Sequence, residues 1–419
     1  WRGWCEELSR SIQLMISSLS ERDEGSRKKV LDQALEIGLQ GTRERMESFA
    51  MQLKLPTTVI YGVGVLLPLV LLAVLPVLGS INLRIGGLEL ALIYCVVLPI
   101  IIYILEKFVL AKRPAAFPPP KIPSKDDVKQ ATLFAILVAV LLPALTIFFG
   151  LPQTMVIISL LWSLSLSITV YCYFSSVETY RVRKENLKVE REFCDALVQL
   201  GNHMKGERPA EDAFRRASSA SKGSSIAKVF EKASINLKFG WGGLRSAFFD
   251  PVGGALKEVY SPPIRSTLRM LIDVMERSTK SAGKAILQTA KHLERLKQVD
   301  REIRRSLGEI VSSMRSVVLF FAPLVAAVTV RLHQFLSEKT AGMPFLGGGT
   351  SVSFPFFLTV LGLYIVSLSI LLSNYTVEIE WGDDQLIKRM TIAQVLPISM
   401  AVFTLGLVIG GQMLSFLAG

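Results

Sequence analysis

Fixed positive charge is the chemistry this sequence is best equipped to supply. Its basic residues gather in three groups: Arg181, Arg183 and Lys184, then Arg215 and Arg216, then Arg301, Arg304 and Arg305. Guanidinium and ammonium groups of this kind grip carboxylates or phosphates, so an acidic protein surface or an anionic headgroup would answer them. Other chemistries are poorly provided for. His203, His292 and His333 are far apart and fall in no metal-ligand spacing, so no metal is expected. Cys5, Cys95, Cys172 and Cys194 contain no CxxC pair, which argues against a disulfide framework. Gly283–Lys284 is followed by Ala285 and lacks the preceding glycines of a phosphate cradle. Gly253–Gly254 and the glycines at 347–349 read as loop residues. No cofactor and no enzymatic activity are expected.

The elements that must carry these charges are set by hydropathy. The chain has 419 residues, is 50% hydrophobic and has a mean hydropathy of +0.43, too apolar for an ordinary soluble enzyme, while its charge is segregated. Runs at 57–78, 88–105, 132–150, 155–174, 316–330, 352–373 and 392–417 are nearly free of charge. Each approaches the ~20 residues a helix needs to cross a bilayer. Arg315 and Arg331 can snorkel to extend the shortest. Lys and Arg number nine in 1–56, six in 106–130 and twenty-six in 177–313. Arg84, Arg331 and Lys339 stand on the other side. The asymmetry puts the polar blocks in the cytoplasm and the C-terminus outside a multi-pass cell-membrane protein. Block 177–313 has seventeen acidic residues, leaving it nine of the chain's twelve net positive charges. Few aromatics interleave them, so nucleic acid is not the expected partner. The chain opens on Trp1 with no signal peptide in view, and an upstream piece is expected.

Helical periodicity fills in the polar parts. Ile12, Met15, Ile16 and Leu19 form one apolar stripe, and Val30, Leu31, Ala34 and Leu35 a second, with 20–27 a polar turn between them. The organisation predicted is 1–56 as the end of one cytosolic helical domain, a membrane hairpin at 57–106, and a linker at 107–131 with five prolines in 112–124. A second hairpin follows at 132–176, then a helical domain at 177–313 and three spans at 314–419. Pro68, Pro76 and Pro99 predict kinks. Residues 240–263 read as a loop. Glu378, Glu380, Asp383 and Asp384 read as a wet acidic loop, with Trp381 as an interface anchor. The helix over 284–313 would be about 45 Å long. No charged side chain is expected at the middle of a span.

At a constant offset of 255 the chain repeats itself. Ser26 aligns with Ser281, Lys29 with Lys284, Gln33 with Gln288, Glu47 with Glu302, Val63 with Val318, Pro68 with Pro323, Leu69 with Leu324 and Val70 with Val325. A long polar helix followed by a proline-bearing span thus occurs twice, which argues for a duplicated module.

The pattern Phe193-x3-Leu197-x2-Leu200-x5-Gly206-x2-Pro209-x3-Ala213, in a helical block that occurs twice and runs into the membrane, resembles the F domain of type II secretion system F proteins. The seven-span layout looks like the archaeal branch, the platform proteins of archaella and archaeal type IV pili. Bacterial members have fewer spans, so 133–174 and 392–417 depart from that version. The resemblance implies an all-α integral membrane protein with about seven transmembrane helices and cytosolic helical-bundle F domains. It also implies a non-enzymatic, homodimeric platform that binds a hexameric secretion ATPase and moves pilin-like or archaellin-like subunits out of the lipid. Arg215, Arg216, Arg301, Arg304 and Arg305 are the expected ATPase contact, with a solvated helix face as the plainer alternative. Arg181, Arg183 and Lys184 lie just below a span, where headgroup anchoring competes with partner binding. A secondary transporter is the second functional class the sequence allows.

Overall fold

The computed structural model describes residues 6–68, 70–71, 86–113, 122–123, 128–205, 209–240, 242–277, 279–340 and 352–418. Every regular element among them is helical. Seven helices are long and apolar enough to cross a membrane, as hydropathy requires: Gly25–Leu66, Gly87–Leu110, Val128–Phe148, Gln153–Phe174, Ala282–Phe335, Phe354–Trp381 and Gln385–Gln412. The chain divides into two compact units, a polar one of Trp1–Arg43, Pro119–Lys125 and Glu178–Ile303, and an apolar one made of the remainder.

In the polar unit α1 (Glu6–Ser18) and the first part of α2 (Glu24–Tyr61) form an antiparallel hairpin. Ser11 Oγ donates to the Ala34 carbonyl at 2.6 Å, and a Cβ on Gly41 would stand 2.4 Å from Glu7. So close an approach admits only small side chains, which corrects the expected apolar stripe. Ser11 and Ser18 are buried, whereas Ile16 is 60% and Leu19 82% exposed. The polar turn is also shorter than expected, because α2 begins at Glu24.

The rest of this unit is built by α7 (Val177–Met204), α8 (Ala210–Ala220), α9 (Ser225–Lys238), α10 (Leu244–Phe249), α11 (Pro262–Arg277) and α12 (Thr279–Ser316). The periodic residues of α7, Phe193, Leu197, Leu200 and Met204, enter one core with Phe214, Phe230, Phe248, Leu268 and Ile286. Phe214 touches both Phe230 and Phe248, with ring centroids 5.3 and 5.0 Å apart. Gly283, next to the failed phosphate motif, is a packing residue: a Cβ there would lie 2.9 Å from the Lys205 nitrogen. The segment 240–263 is no open loop. It contains α10, and Asn236 Nδ2 donates to the carbonyls of Ala247 and Gly253 while Asn186 pairs with Tyr260 N–H. Those amides satisfy the backbone that a glycine-rich stretch would otherwise leave to water.

The apolar unit contains α3 (Gly87–Leu92), α4 (Leu98–Leu110), α5 (Val128–Phe148), α6 (Gln153–Phe174), α13 (Ala322–Thr340), α14 (Phe354–Trp381) and α15 (Gln385–Ala418), with the last parts of α2 and α12. Helix α14 is the centre of this bundle, with 67% of its most apolar window buried; α5 is peripheral, with 11%. Two glycine contacts set the packing. Gly362 lets α14 close on Leu161 of α6, and Gly406 lets α15 close on Ala327 of α13. Small residues at helix contacts do this in membranes, where no hydrophobic force drives association between helices.

The duplication has a structural counterpart. Helix α2 and helix α12 each have 38 residues, and Glu24–Tyr61 maps onto Thr279–Ser316 at the same offset of 255. Each is followed by a five-residue π-turn, Gly62–Leu66 and Val317–Phe321, and then by Pro68 or Pro323. Within the polar unit the two helices run parallel, since Asp32 faces His292 at 3.5 Å and Arg43 faces Glu302 at 3.1 Å. The short span expected at 316–330 is thus the tail of a longer helical run. Most of the proline-rich linker 112–124, most of the hairpin turn 80–87, Pro76, and Gly206–Arg208 of the F-type motif lie outside the described residues.

Candidate functional site

The densest polar constellation of the apolar unit lies where α4 and α14 end and α15 begins. A helix that ends in a charged turn leaves its last carbonyls and its charges at the same level. Here Lys107 of α4 reaches Glu378 of α14 at 3.2 Å, and Lys388 of α15 reaches the same carboxylate at 2.5 Å. Lys388 also holds Asp383 at 2.6 Å, and this hydrogen bond and charge keep the Asp383 carboxyl below the usual carboxylate range. Asp384 is 4% exposed and caps α15, its Oδ1 accepting from the N–H groups of Leu386 and Ile387. The expected wet acidic loop is therefore only three residues long, with Asp383 in solvent and Asp384 buried, while Glu378 lies on α14 and is shared by two lysines. Sequence reading missed the shared carboxylate because one of its two lysines, Lys107, lies 271 residues away along the chain.

Two arginines complete the cluster. Arg304 lies over the Trp381 ring, 4.1 Å from its centroid, so Trp381 is a cation–π platform rather than a simple interface anchor. Arg113, just past α4, lies against Gly382. Gly382 has φ +79°, and a Cβ there would stand 2.7 Å from Arg113 Nη1. The positive φ is what calls for glycine here, since the Arg113 side chain could move aside. The Nε of Arg113 is buried without a hydrogen-bond partner among the described residues. Burial pulls the Arg113 guanidinium down from its ordinary value; Glu378 opposes this and the nearby Arg304 charge adds to it.

Deeper in the same unit, Glu106 is 4% exposed, and its Oε1 has no hydrogen-bond partner among the described residues. It lies near Tyr375, which also faces Thr57. The expectation placed Glu106 near the end of a span; the structure adds that it is buried within the bundle there. Arg331 departs from expectation as well, because its Nε donates to the Leu407 carbonyl at 2.7 Å instead of snorkelling outward. His333 is buried and stacks on Phe357 with centroids 4.2 Å apart.

The proline-bearing spans share a third arrangement. Pro68, Pro99 and Pro323 each follow a π-turn in which the residue before the proline donates to the carbonyl five back: Leu67 to Gly62, Leu98 to Ile93, Ala322 to Val317. A proline ring clashes with the carbonyl four residues earlier, and widening the turn relieves that clash. In an unbroken α register the Gly64 carbonyl would accept from residue 68, which as proline has no N–H. The Tyr364 hydroxyl donates to that carbonyl instead, and Tyr94 donates to the Pro68 carbonyl at 2.6 Å. The two tyrosine rings meet edge to face at 5.7 Å. No charge pattern signals this lock at Pro68; only the pairing of that one proline with two tyrosines distant in the chain could have.

The basic groups singled out by sequence separate by environment. Arg215 and Arg216 are exposed on α8, and Arg215 pairs with Asp212 one turn away at 2.6 Å. Arg301 and Arg305 are exposed on α12, while Arg304 is drawn onto Trp381. Arg181 and Lys184 are exposed, but Arg183 is only 7% exposed and is unsuited to a headgroup-facing role. No group of three or more His, Cys, Asp or Glu side chains with metal-binding geometry occurs among the described residues.

No protein-family model, curated protein or solved structure matches this chain. Its function must therefore be argued from its own residues.

Proposed function

We propose that the chain is a membrane platform protein of an archaeal type IV filament machine, an archaellum or pilus assembly system. In this reading the polar unit is cytosolic and comprises F-type helical domains. It binds a secretion ATPase through Arg215, Arg216, Arg301 and Arg305, and the spans handle filament subunits in the bilayer. One observation supports it above the others: a 38-residue polar helix passes through a π-turn into a proline-bearing span twice, at one offset. Movement imposed on such a helix by a partner reaches the apolar unit through covalent backbone with no loop between. The surplus of positive charge on the polar block gives an acidic ATPase surface its counterpart.

The test is co-purification from native membranes. The platform reading expects a hexameric ATPase to accompany the wild-type chain, and Arg215→Glu/Arg216→Glu or Arg301→Glu/Arg305→Glu to reduce its recovery and its salt sensitivity. Unchanged recovery with both pairs reversed would reject these contacts, and absence of any ATPase would reject the platform.

Glu106 favours a second reading, a multi-pass secondary transporter, because a buried carboxyl within a span is the kind of group that ion pathways use. Substrate flux into liposomes containing this chain alone, lost in Glu106→Gln, is what that reading requires.

A further inference from the structure

Among the described residues of block 177–313, the two most exposed large apolar side chains stand at one end of α9. Phe239 and Val252 are each 77% exposed, and Ile235, one turn before Phe239 on the same helix face, is 47% exposed. A side-chain amide brings them together. Asn236 Nδ2 donates to the carbonyls of Ala247 and Gly253, each at 3.0 Å, which sets the segment of Val252 against the end of α9. The tip is held in place. Asp250 Oδ1 accepts from the N–H groups of Val252 and Gly253 at 2.7 and 2.9 Å, and Lys257 Nζ donates to the Val252 carbonyl at 3.2 Å. Holding apolar side chains out in water is unfavourable for the free molecule and is offset only when a partner covers them. Charge indicates which partner. Lys238, Arg245 and Lys257 are exposed in this segment, and of the two carboxylates in 235–258 Asp250 is turned onto its own loop, leaving only Glu258. A basic rim around an apolar centre is the complement of an acidic protein surface with an apolar recess. A fluid bilayer needs no fixed tip, whereas a shaped recess is best met by side chains already in position.

We infer that Phe239, with Ile235 and Val252, is the apolar anchor of a docking surface for an acidic protein, and that Lys238, Arg245 and Lys257 form its rim. The inference rests on the platform reading, in which that protein is the secretion ATPase. Phe214 of α8 meets Phe230 of α9, and Ser218 Oγ donates to the Ala227 carbonyl, so the two helices are antiparallel. Phe239 therefore lies about 14 Å along the hairpin from the level of Arg215. One interface of ordinary size spans both levels. The arginines of α8 steer the partner in and the tip holds it, because exposed charges act mainly on the encounter rate and a buried apolar anchor on the rate of release.

The experiment uses the full chain in native membranes, with recovery of the ATPase read at low and high salt and with a photocrosslinking p-benzoylphenylalanine in place of Val252. Phe239→Ala is expected to lower recovery about tenfold at both salt concentrations. Lys238→Glu/Arg245→Glu should lower it at low salt and by less at high salt, as screening removes the rim from the balance. Val198→Ala, at an exposed apolar position on α7, should leave recovery unchanged. Irradiation should join position 252 to the ATPase. An adduct to lipid would assign the tip to the membrane and overturn the proposal, as would an adduct only to a second copy of this chain, or none. Should Phe239→Ala fail to insert, the crosslink in the chain with Phe239 intact decides alone. Full recovery in Phe239→Ala, with the ATPase present, would strike the tip and leave the platform reading standing. No ATPase in any sample would strike both.

Discussion

Tyr364 and Tyr94 make side-chain hydroxyls do what a proline took from the backbone. Removing the Tyr364 hydroxyl leaves the buried Gly64 carbonyl without its side-chain donor, while Tyr364→Phe keeps the ring that meets Tyr94. A loss of roughly 0.5–2 kcal/mol is expected, at the upper end if water cannot reach the carbonyl. Unfolding in detergent, compared with Tyr103→Phe at an exposed position, reads it. Asp383 carries a pH-dependent contribution. Its folded carboxyl is depressed by Lys388, so the stabilisation is fully present above the ordinary aspartate value of about 3.9 and is lost as pH falls through the folded value. Because the Asp383 side chain is 79% exposed, solvent screening limits this to about 0–1 kcal/mol. Asp383→Asn should flatten the acid limb of the stability curve by that amount; an unchanged limb would mean that Lys388 is held by Glu378 alone.

At the scale of elements, the π-turns are where sequence pattern and structure meet most closely. Each π-turn adds a residue to the helix, so the face presented after it is turned by about 100° relative to an uninterrupted α-helix. This places Arg331 against Leu407 and Gly410 of α15. Deleting Phe320, 56% exposed and inside the turn, should close the turn to α and keep the downstream face in register. Deleting Ala327, buried against Gly406 of α15, should rotate that face away. Membrane-inserted yield and melting temperature should be higher for the first deletion; equal damage would show that the turn is held by its proline and not by the register. The prolines and the offset of 255 were legible in the sequence, since identities at matched positions survive in the string. The π-turns were not, because Pro143 and Pro397 lie within helices that stay α throughout.

For the whole molecule, orientation is the property on which the platform reading stands. Lys222 is exposed at the α8–α9 turn and Leu151 at the α5–α6 turn. With a membrane-impermeant maleimide on sealed cells, Lys222→Cys should stay unlabelled until lysis and Leu151→Cys should react at once. The reverse result would put the basic unit outside, away from any intracellular motor. The sequence by itself determined the number of apolar helices, the periodic residues that build the core around Phe193 and Phe214, and the duplicated helix. These are local or same-helix properties, written in spacing. Only the tertiary structure decided that Ile16 and Leu19 face outward, that Glu378 is shared by two lysines, and that Arg304 rests on Trp381. Each of these depends on the rotation of one helix against another, set by small residues such as Gly41, Gly362 and Gly382 at the contacts. Hydropathy places a residue on a helix face, but which neighbour meets that face is a matter of packing between segments distant in the chain.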